Sequence, residues 1–227
     1  MPFKALFFCL PLMLSAPLAA AQEPAPPAAP AAAAPAAPLT SPAANVPVDA
    51  ENVLDLDLST GGRVRIQLRP DLAPSHVERV KALARQGFYN GVVFHRVIEG
   101  FMAQTGDPTG TGQGGSELPD LKAEFNAYPH LRGTVSMARA TSEDSANSQF
   151  FIMLMPRFSL DRKYTAFGRV IGGMEYVDAI ARGEPPANPT RIVQASVEAD
   201  GKAPPASLPA TGGAPAPTVD QLNAPMK

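Results

Sequence analysis

The sequence predicts a mostly β domain, an antiparallel barrel or sandwich of eight strands, lying between two Pro/Ala-rich segments. Three observations lead there. The bulky apolar residues needed for a core are concentrated in residues 50–198. Within that span residues 53–58 and 63–68 alternate with period two, the signature of half-buried strands, and six further short strand-like runs follow. The runs are separated by turns and loops rather than by regularly alternating helices, which argues against a doubly wound parallel sheet.

Taken in order, residues 53–58 (Val-Leu-Asp-Leu-Asp-Leu) alternate apolar and acidic, Ser59-Thr60-Gly61-Gly62 makes a Gly-rich turn, and residues 63–68 (Arg-Val-Arg-Ile-Gln-Leu) alternate again. This is a hairpin. A short amphipathic helix follows, with Pro74 in its first turn, Ser75-x-x-Glu78 at the spacing of a capping box, and Val77, Val80, Leu83 and Ala84 on one face until Gly87. Further strands are expected over residues 92–98, 101–105, 134–138, 149–154, 166–171 and 191–198, with a second helix over residues 174–181. The stretch from Gly106 to Gly133, rich in Gly and polar residues, is expected to be an extended surface loop.

The flanks have a different character. Residues 22–47 hold 8 Pro and 11 Ala in 26 positions, and residues 200–227 hold 6 Pro and 6 Ala in 28, compositions with little to bury. We therefore divide the chain into a signal peptide over 1–21, a Pro/Ala-rich disordered linker over 22–49, the domain over 50–198 and a Pro/Ala-rich disordered tail over 199–227. The signal reading rests on Lys4, a nearly continuous apolar run over residues 5–14 and the small residues Ala19-Ala20-Ala21 at a cleavage site. That run is too short to span a bilayer, so no stable membrane span is expected once the signal is removed. Export, most simply to a periplasm and otherwise by secretion, is the expectation.

Cys9, the only cysteine, falls within this segment and leaves the mature chain without thiol chemistry or disulfides. The domain carries 16 Lys and Arg against 17 Asp and Glu with no basic run, which excludes a nucleic-acid binder of the usual kind. His76, His95 and His130 lack metal-ligand spacing, so neither a metal nor a cofactor is expected.

Chemistry is sought where polar residues interrupt buried strands: Phe94-His95-Arg96, residues 100–107 (Gly-Phe-Met-Ala-Gln-Thr-Gly-Asp) and Ser148-Gln149-Phe150-Phe151-Ile152. By period-two alternation Phe94, Arg96 and Ile98 share a face, as do Met102 with Gln104 and Gln149 with Phe151, and His95 points the other way from Arg96. Strands side by side would present an apolar floor of Met102 and Phe151 rimmed by the donors of Arg96, Gln104 and Gln149. Asp107 and Glu99 read as loop-organising or solvated charges. The tails read as spacers or as passive solubilising segments.

Phe94-His95-Arg96-Val97-Ile98-x-Gly100-Phe101-Met102-x-Gln104-x-Gly106-Asp107 and Ser148-Gln149-Phe150-Phe151-Ile152 closely resemble the two signature stretches of cyclophilins. The resemblance extends from about Val53 to Val197. It implies a closed eight-stranded antiparallel barrel capped by two helices, and a peptidyl-prolyl cis/trans isomerase acting on proline-containing unfolded or partly folded polypeptides; a monomer is the expectation.

It assigns Arg96 and Gln104 as catalytic, Gln104 orienting Arg96. Substrate binding is assigned to Phe101, Met102, Ala138, Arg139, Gln149, Phe151, Leu160 and Tyr164. Three positions depart from the family pattern. Tyr164 stands where many members carry His, Arg139 where Asn is common, and Ser159 where an aromatic residue often precedes the position of Leu160; the last implies weak binding of cyclosporin. The competing reading is a proline-peptide-binding chaperone module with little turnover, against which the presence of Arg96, Gln104 and Phe151 together speaks. A third possibility makes tethering by the tails the main function.

Overall fold

The structure, a computed structural model, describes residues 46–206. The expected signal and most of both Pro/Ala-rich segments lie outside the described residues. Eight strands form one antiparallel sheet: β1 (Val53–Leu58), β2 (Arg63–Leu68), β3 (Arg96–Ile98), β4 (Met102–Thr105), β5 (Thr134–Met137), β6 (Phe150–Met153), β7 (Ala166–Gly172) and β8 (Ile192–Val197). Their order across the sheet is β3-β4-β6-β5-β7-β2-β1-β8. Helix α1 (Pro74–Arg85) follows β2 and the short α2 (Met174–Asp178) follows β7. Among the described residues no helix is long and apolar enough to cross a membrane.

The sheet curls but does not close, which corrects the expectation of a closed barrel. Its edge strands β3 and β8 share no ladder, and the seam is crossed instead by an isolated bridge between Val93 and Arg191. Two features of the chain explain the gap. Phe94 and Val97 both pack in the main core, a spacing of three that one regular strand cannot satisfy, so the run expected over 92–98 breaks and only its end remains as β3. Phe94 therefore does not share a face with Ile98, which joins a separate outer cluster. On the other side of the seam, Pro185, Pro186 and Pro189 precede β8 and have no N–H to continue a ladder.

The hairpin β1–β2 appears where alternation places it, with Leu54, Leu56, Val64 and Ile66 wholly buried in the same core cluster as Val77 and Val80 of α1. All six residues of β1 are buried, acids included. Arg63 holds both acids from the neighbouring strand, at 3.0 Å from Asp55 and 2.8 Å from Asp57. Tyr89, Phe150 and Phe167 form an edge-to-face series through the core, with centroids 5.5 and 6.1 Å apart.

The capping box expected at Ser75 and Glu78 does not form. With Pro74 as the first helical residue, Ser75 already lies inside the helix and Ala73 is the N-cap. The first-turn amides of Ser75 and His76, which have no intrahelical partner, instead donate to Glu124, 3.2 and 3.3 Å away, which also accepts from His76 Nδ1 at 2.6 Å. Helix α2 is shorter than expected and ends at Asp178.

The folded unit continues beyond residue 198. Glu198–Asp200 make a 3-10 turn, and the carbonyls of Lys202 and Ala203 accept from Arg63 at 3.2 Å and Gln194 at 3.0 Å.

Candidate active site

The register of four strands lines up one row of side chains. Arg96 on β3 stands opposite Gln104 on β4, Gln104 opposite Phe151 on β6, and Phe151 opposite Ser136 on β5. Directly opposed residues of antiparallel strands share a face, here the outer one. Met102 pairs with Met153 in the same way one step along. Met102, Phe151 and Met153 form a small apolar cluster distinct from the core, packed on by Ile98, Phe101, Ala138, Leu160 and Tyr164.

Such a cluster on the outside of a sheet leaves a depression, and a cavity of about 130 Å³ opens there. Arg96, Phe101, Met102, Gln104, Ala138, Arg139, Phe151, Leu160 and Tyr164 line it. Gln149 lines a second cavity of about 480 Å³, which shares Gln104, Ala138 and Arg139 with the first. All ten residues singled out from the sequence thus border one of two adjoining hollows.

Hydrogen bonding fixes the rim. Gln149 donates from Nε2 to the carbonyls of Gly112 at 3.1 Å and Gly114 at 2.7 Å, and its Oε1 accepts from Gln104 Nε2 at 2.9 Å. The loop supplying those carbonyls is wound around Asp107, a fully buried carboxylate. Asp107 accepts from Thr109 N at 2.7 Å and Thr109 Oγ1 at 2.8 Å, and from the amides of Thr111, Gly112 and Gly114 at 3.0, 2.6 and 3.1 Å. Burial pushes its pKa up, but the bonds from Thr109, Gly112 and Gly114 outweigh that and hold it down at about 2. Asp107 therefore organises the loop.

The aromatic wall is held from behind. Phe151 meets Tyr164 edge-on at 5.7 Å and stacks on His130 at 6.3 Å. The His130 imidazole lies 2.8 Å from Asp161 Oδ1 at Nδ1 and 2.8 Å from Ser136 Oγ at Nε2. Burial draws the His130 pKa down, with the Asp161 contact opposing. Arg139 and Arg157 lie over the rings of Tyr164 and Phe101, each at 4.9 Å. Arg139 also donates to the carbonyls of Ala140, Thr141 and Lys163, which ties down the loop after β5.

His95 is buried, makes no side-chain hydrogen bond, and packs near Gly112, whose notional Cβ would be 3.5 Å from the ring. Burial lowers its pKa as well.

One contact was not foreseen. Gln104 is bonded to Gln149 rather than to Arg96, and the group that holds Arg96 is Glu184, whose Oε2 accepts from Nε at 2.7 Å. The two lie 88 positions apart, and no local pattern links them. Likewise the carbonyls of Gly112 and Gly114 carried no side-chain signal, although the glycines around Asp107 marked the loop itself.

Comparison with known proteins shows the family. Residues 53–197 match the family described as cyclophilin type peptidyl-prolyl cis-trans isomerase/CLD. A Brucella suis biovar 1 (strain 1330) protein named "Probable peptidyl-prolyl cis-trans isomerase" is 49% identical over 170 residues, covering 68% of this chain and 86% of its own. Peptidyl-prolyl cis-trans isomerase B of Bacillus subtilis (strain 168) is 40% identical over 128 residues, covering 56% and 89%. Among solved structures, a cyclophilin of Hirschia baltica superposes with a TM-score of 0.63 at 30% identity, covering 67% of this chain and 76% of that one. With the match spanning all eight strands and both cavity-lining motifs, the chain belongs to the cyclophilin type of peptidyl-prolyl cis-trans isomerases.

Proposed function

We propose that Arg96 catalyses rotation of X-Pro bonds by donating to the prolyl nitrogen, in client proteins outside the cytoplasm. The observation that carries this reading is one cavity with two halves: an apolar floor of Phe101, Met102, Phe151 and Leu160, and the guanidinium of Arg96 at its rim. The X-Pro bond resists rotation by about 20 kcal/mol because the nitrogen lone pair is delocalised into the carbonyl. In the twisted transition state that pair localises on nitrogen and becomes a hydrogen-bond acceptor. A permanently charged donor beside it stabilises that state above either planar ground state.

The apolar floor grips the pyrrolidine ring while the preceding carbonyl turns. The backbone of Ala138 and Arg139 receives the residues before proline in extended form, and Gln104, held by Gln149, contacts the substrate backbone. No bond is made or broken and no proton changes owner, so the reaction calls for neither a nucleophile nor a cofactor. A cyclophilin-type isomerase of Cryptosporidium parvum, similar at a TM-score of 0.60 and 28% identity over 64% of this chain and 98% of that one, was solved in the presence of the dipeptide Ala-Pro. The use of that dipeptide supports a proline-containing peptide as the substrate here.

The N-terminal pattern of Lys4, the apolar run and three alanines supports export, most simply to a periplasm. Clients would then be exported polypeptides still folding. Titrating the isotope-labelled full chain with an Ala-Pro peptide tests the site. Shifts concentrated at Arg96, Phe101, Gln104 and Phe151 support it, and shifts centred elsewhere contradict it. Fusing residues 1–49 to a reporter that is active only outside the cytoplasm tests export; an inactive fusion removes that part of the proposal.

A further inference from the structure

The guanidinium of Arg96 is held from the side by a segment that belongs to neither signature stretch. Gly183 and Val97 exchange both backbone hydrogen bonds, at 2.9 and 2.8 Å, and so pin residues 182–184 alongside β3. Only glycine fits this point: φ is +142°, and a Cβ would lie 2.6 Å from Pro186 Cα. An ion pair stands on each side of the bridge. Arg182 Nε meets Glu99 at 2.5 Å on one side, and Glu184 meets Arg96 Nε at 2.7 Å on the other.

The strap thus carries a cation and an anion opposite an anion and a cation of β3 and its turn. Because Arg96 and Glu184 are 43% and 50% exposed, the pair adds little to stability. What it supplies is direction. Engaging Nε orients the planar fork and leaves Nη1 and Nη2 for the cavity.

We propose that Glu184 is a positioning residue for the isomerase reaction, holding the plane of the Arg96 guanidinium across the cavity so that its terminal donors meet the prolyl nitrogen during rotation. This role rests on the reading of Arg96 given above. Without Glu184 the guanidinium samples orientations from which the donor misses the twisted bond, and the loss falls on the transition state rather than on peptide binding.

The test compares the full chain with Glu184→Ala, Glu184→Gln, Glu99→Gln and Arg96→Ala by NMR exchange on an Ala-Pro peptide. For Glu184→Ala, kcat is expected to fall about tenfold with KM changed less than about twofold, the pattern of an interaction made mainly in the transition state. Glu184→Gln, which keeps an acceptor for Nε, should recover at least half of that loss. Glu99→Gln breaks the other pair of the strap and should leave kcat unchanged. The Arg96 Nε–H resonance, assigned from its disappearance in Arg96→Ala, should be retained in Glu99→Gln and broadened by exchange with water in Glu184→Ala.

An unchanged or raised kcat in Glu184→Ala overturns the proposal, as does a loss confined to KM or one matched by Glu99→Gln. If Arg96→Ala lowers the rate and Glu184→Ala does not, only the role of Glu184 falls. If Arg96→Ala keeps the full rate, the reading of Arg96 falls and takes this one with it.

Discussion

Replacing Asp107 by Asn keeps the shape of the side chain and removes its charge. Five donors within 3.1 Å converge on this carboxylate, four of them backbone amides of the loop that presents Gly112 and Gly114 to Gln149. A folded-state pKa of about 2 against an ordinary 3.8 makes the charged form worth about 2 kcal/mol. In the amide, one acceptor oxygen becomes an NH₂ that faces other N–H groups, which raises the expected cost to about 3 kcal/mol. For a domain of this size that lowers Tm by roughly 6–12 °C.

The sign of the pH dependence follows from the depressed pKa. The contribution is complete above the unfolded-state value near 3.8 and is lost as pH falls through about 2. The gap between the two proteins in thermal unfolding followed by near-UV circular dichroism should therefore be full at pH 7 and should narrow below about pH 4. A Tm within about 1 °C of wild type at pH 7, or a gap that stays constant from pH 7 to 3, would refute the assignment of Asp107 as the organiser of this loop.

Three further outcomes are expected. Gly106→Ala places a methyl against Ser148 O and 2.8 Å from Gln149 Cα at a φ of +91°, so denaturant unfolding should show a loss of at least about 2 kcal/mol; a neutral result contradicts the close approach of these strands. Phe151→Ala removes the centre of the apolar floor, and peptide affinity measured by NMR titration should fall at least about tenfold, with an unchanged affinity placing proline elsewhere. Burial holds His95 and His130 below their ordinary value of 6.5, so the unfolded chain binds more protons just below that pH. Stability is then complete above about pH 6.5 and falls as pH drops, by at most about 1.4 kcal/mol per unit for each ring. Urea midpoints at pH 7.5 and 5.5 check this: a flat profile contradicts it, and His95→Met should reduce the slope.

How far the sequence could be read depended on whether a feature was local. The β1–β2 hairpin was legible to the residue because its alternation, its Gly-rich turn and its pairing all lie within residues 53–68. The two signature stretches were legible as strands whose alternation puts Met102 with Gln104 and Gln149 with Phe151, but the register that sets Gln104 opposite Phe151 is a pairing between strands that alternation does not encode.

Other features depend on partners far along the chain. Closure of the sheet failed at β3, where Phe94 and Val97 both turn into the core and break the phase that the run Val92-Val93-Phe94 suggested. The cap of α1 comes from Glu124, 48 or more positions away, so the local spacing of Ser75 and Glu78 was misleading. Glu184 meets Arg96 next to the bridge between Gly183 and Val97, a contact that no periodicity encodes.

The central claim is that Arg96 stabilises the twisted X-Pro bond. Its most direct test is the cis/trans exchange rate of an Ala-Pro peptide, measured by NMR with the full chain and with its Arg96→Ala variant at matched peptide occupancy. The account predicts that the wild type accelerates exchange and that the variant, still folded and still binding, loses at least about a hundredfold of that acceleration. A folded variant that binds the peptide and turns it over at the wild-type rate would contradict it.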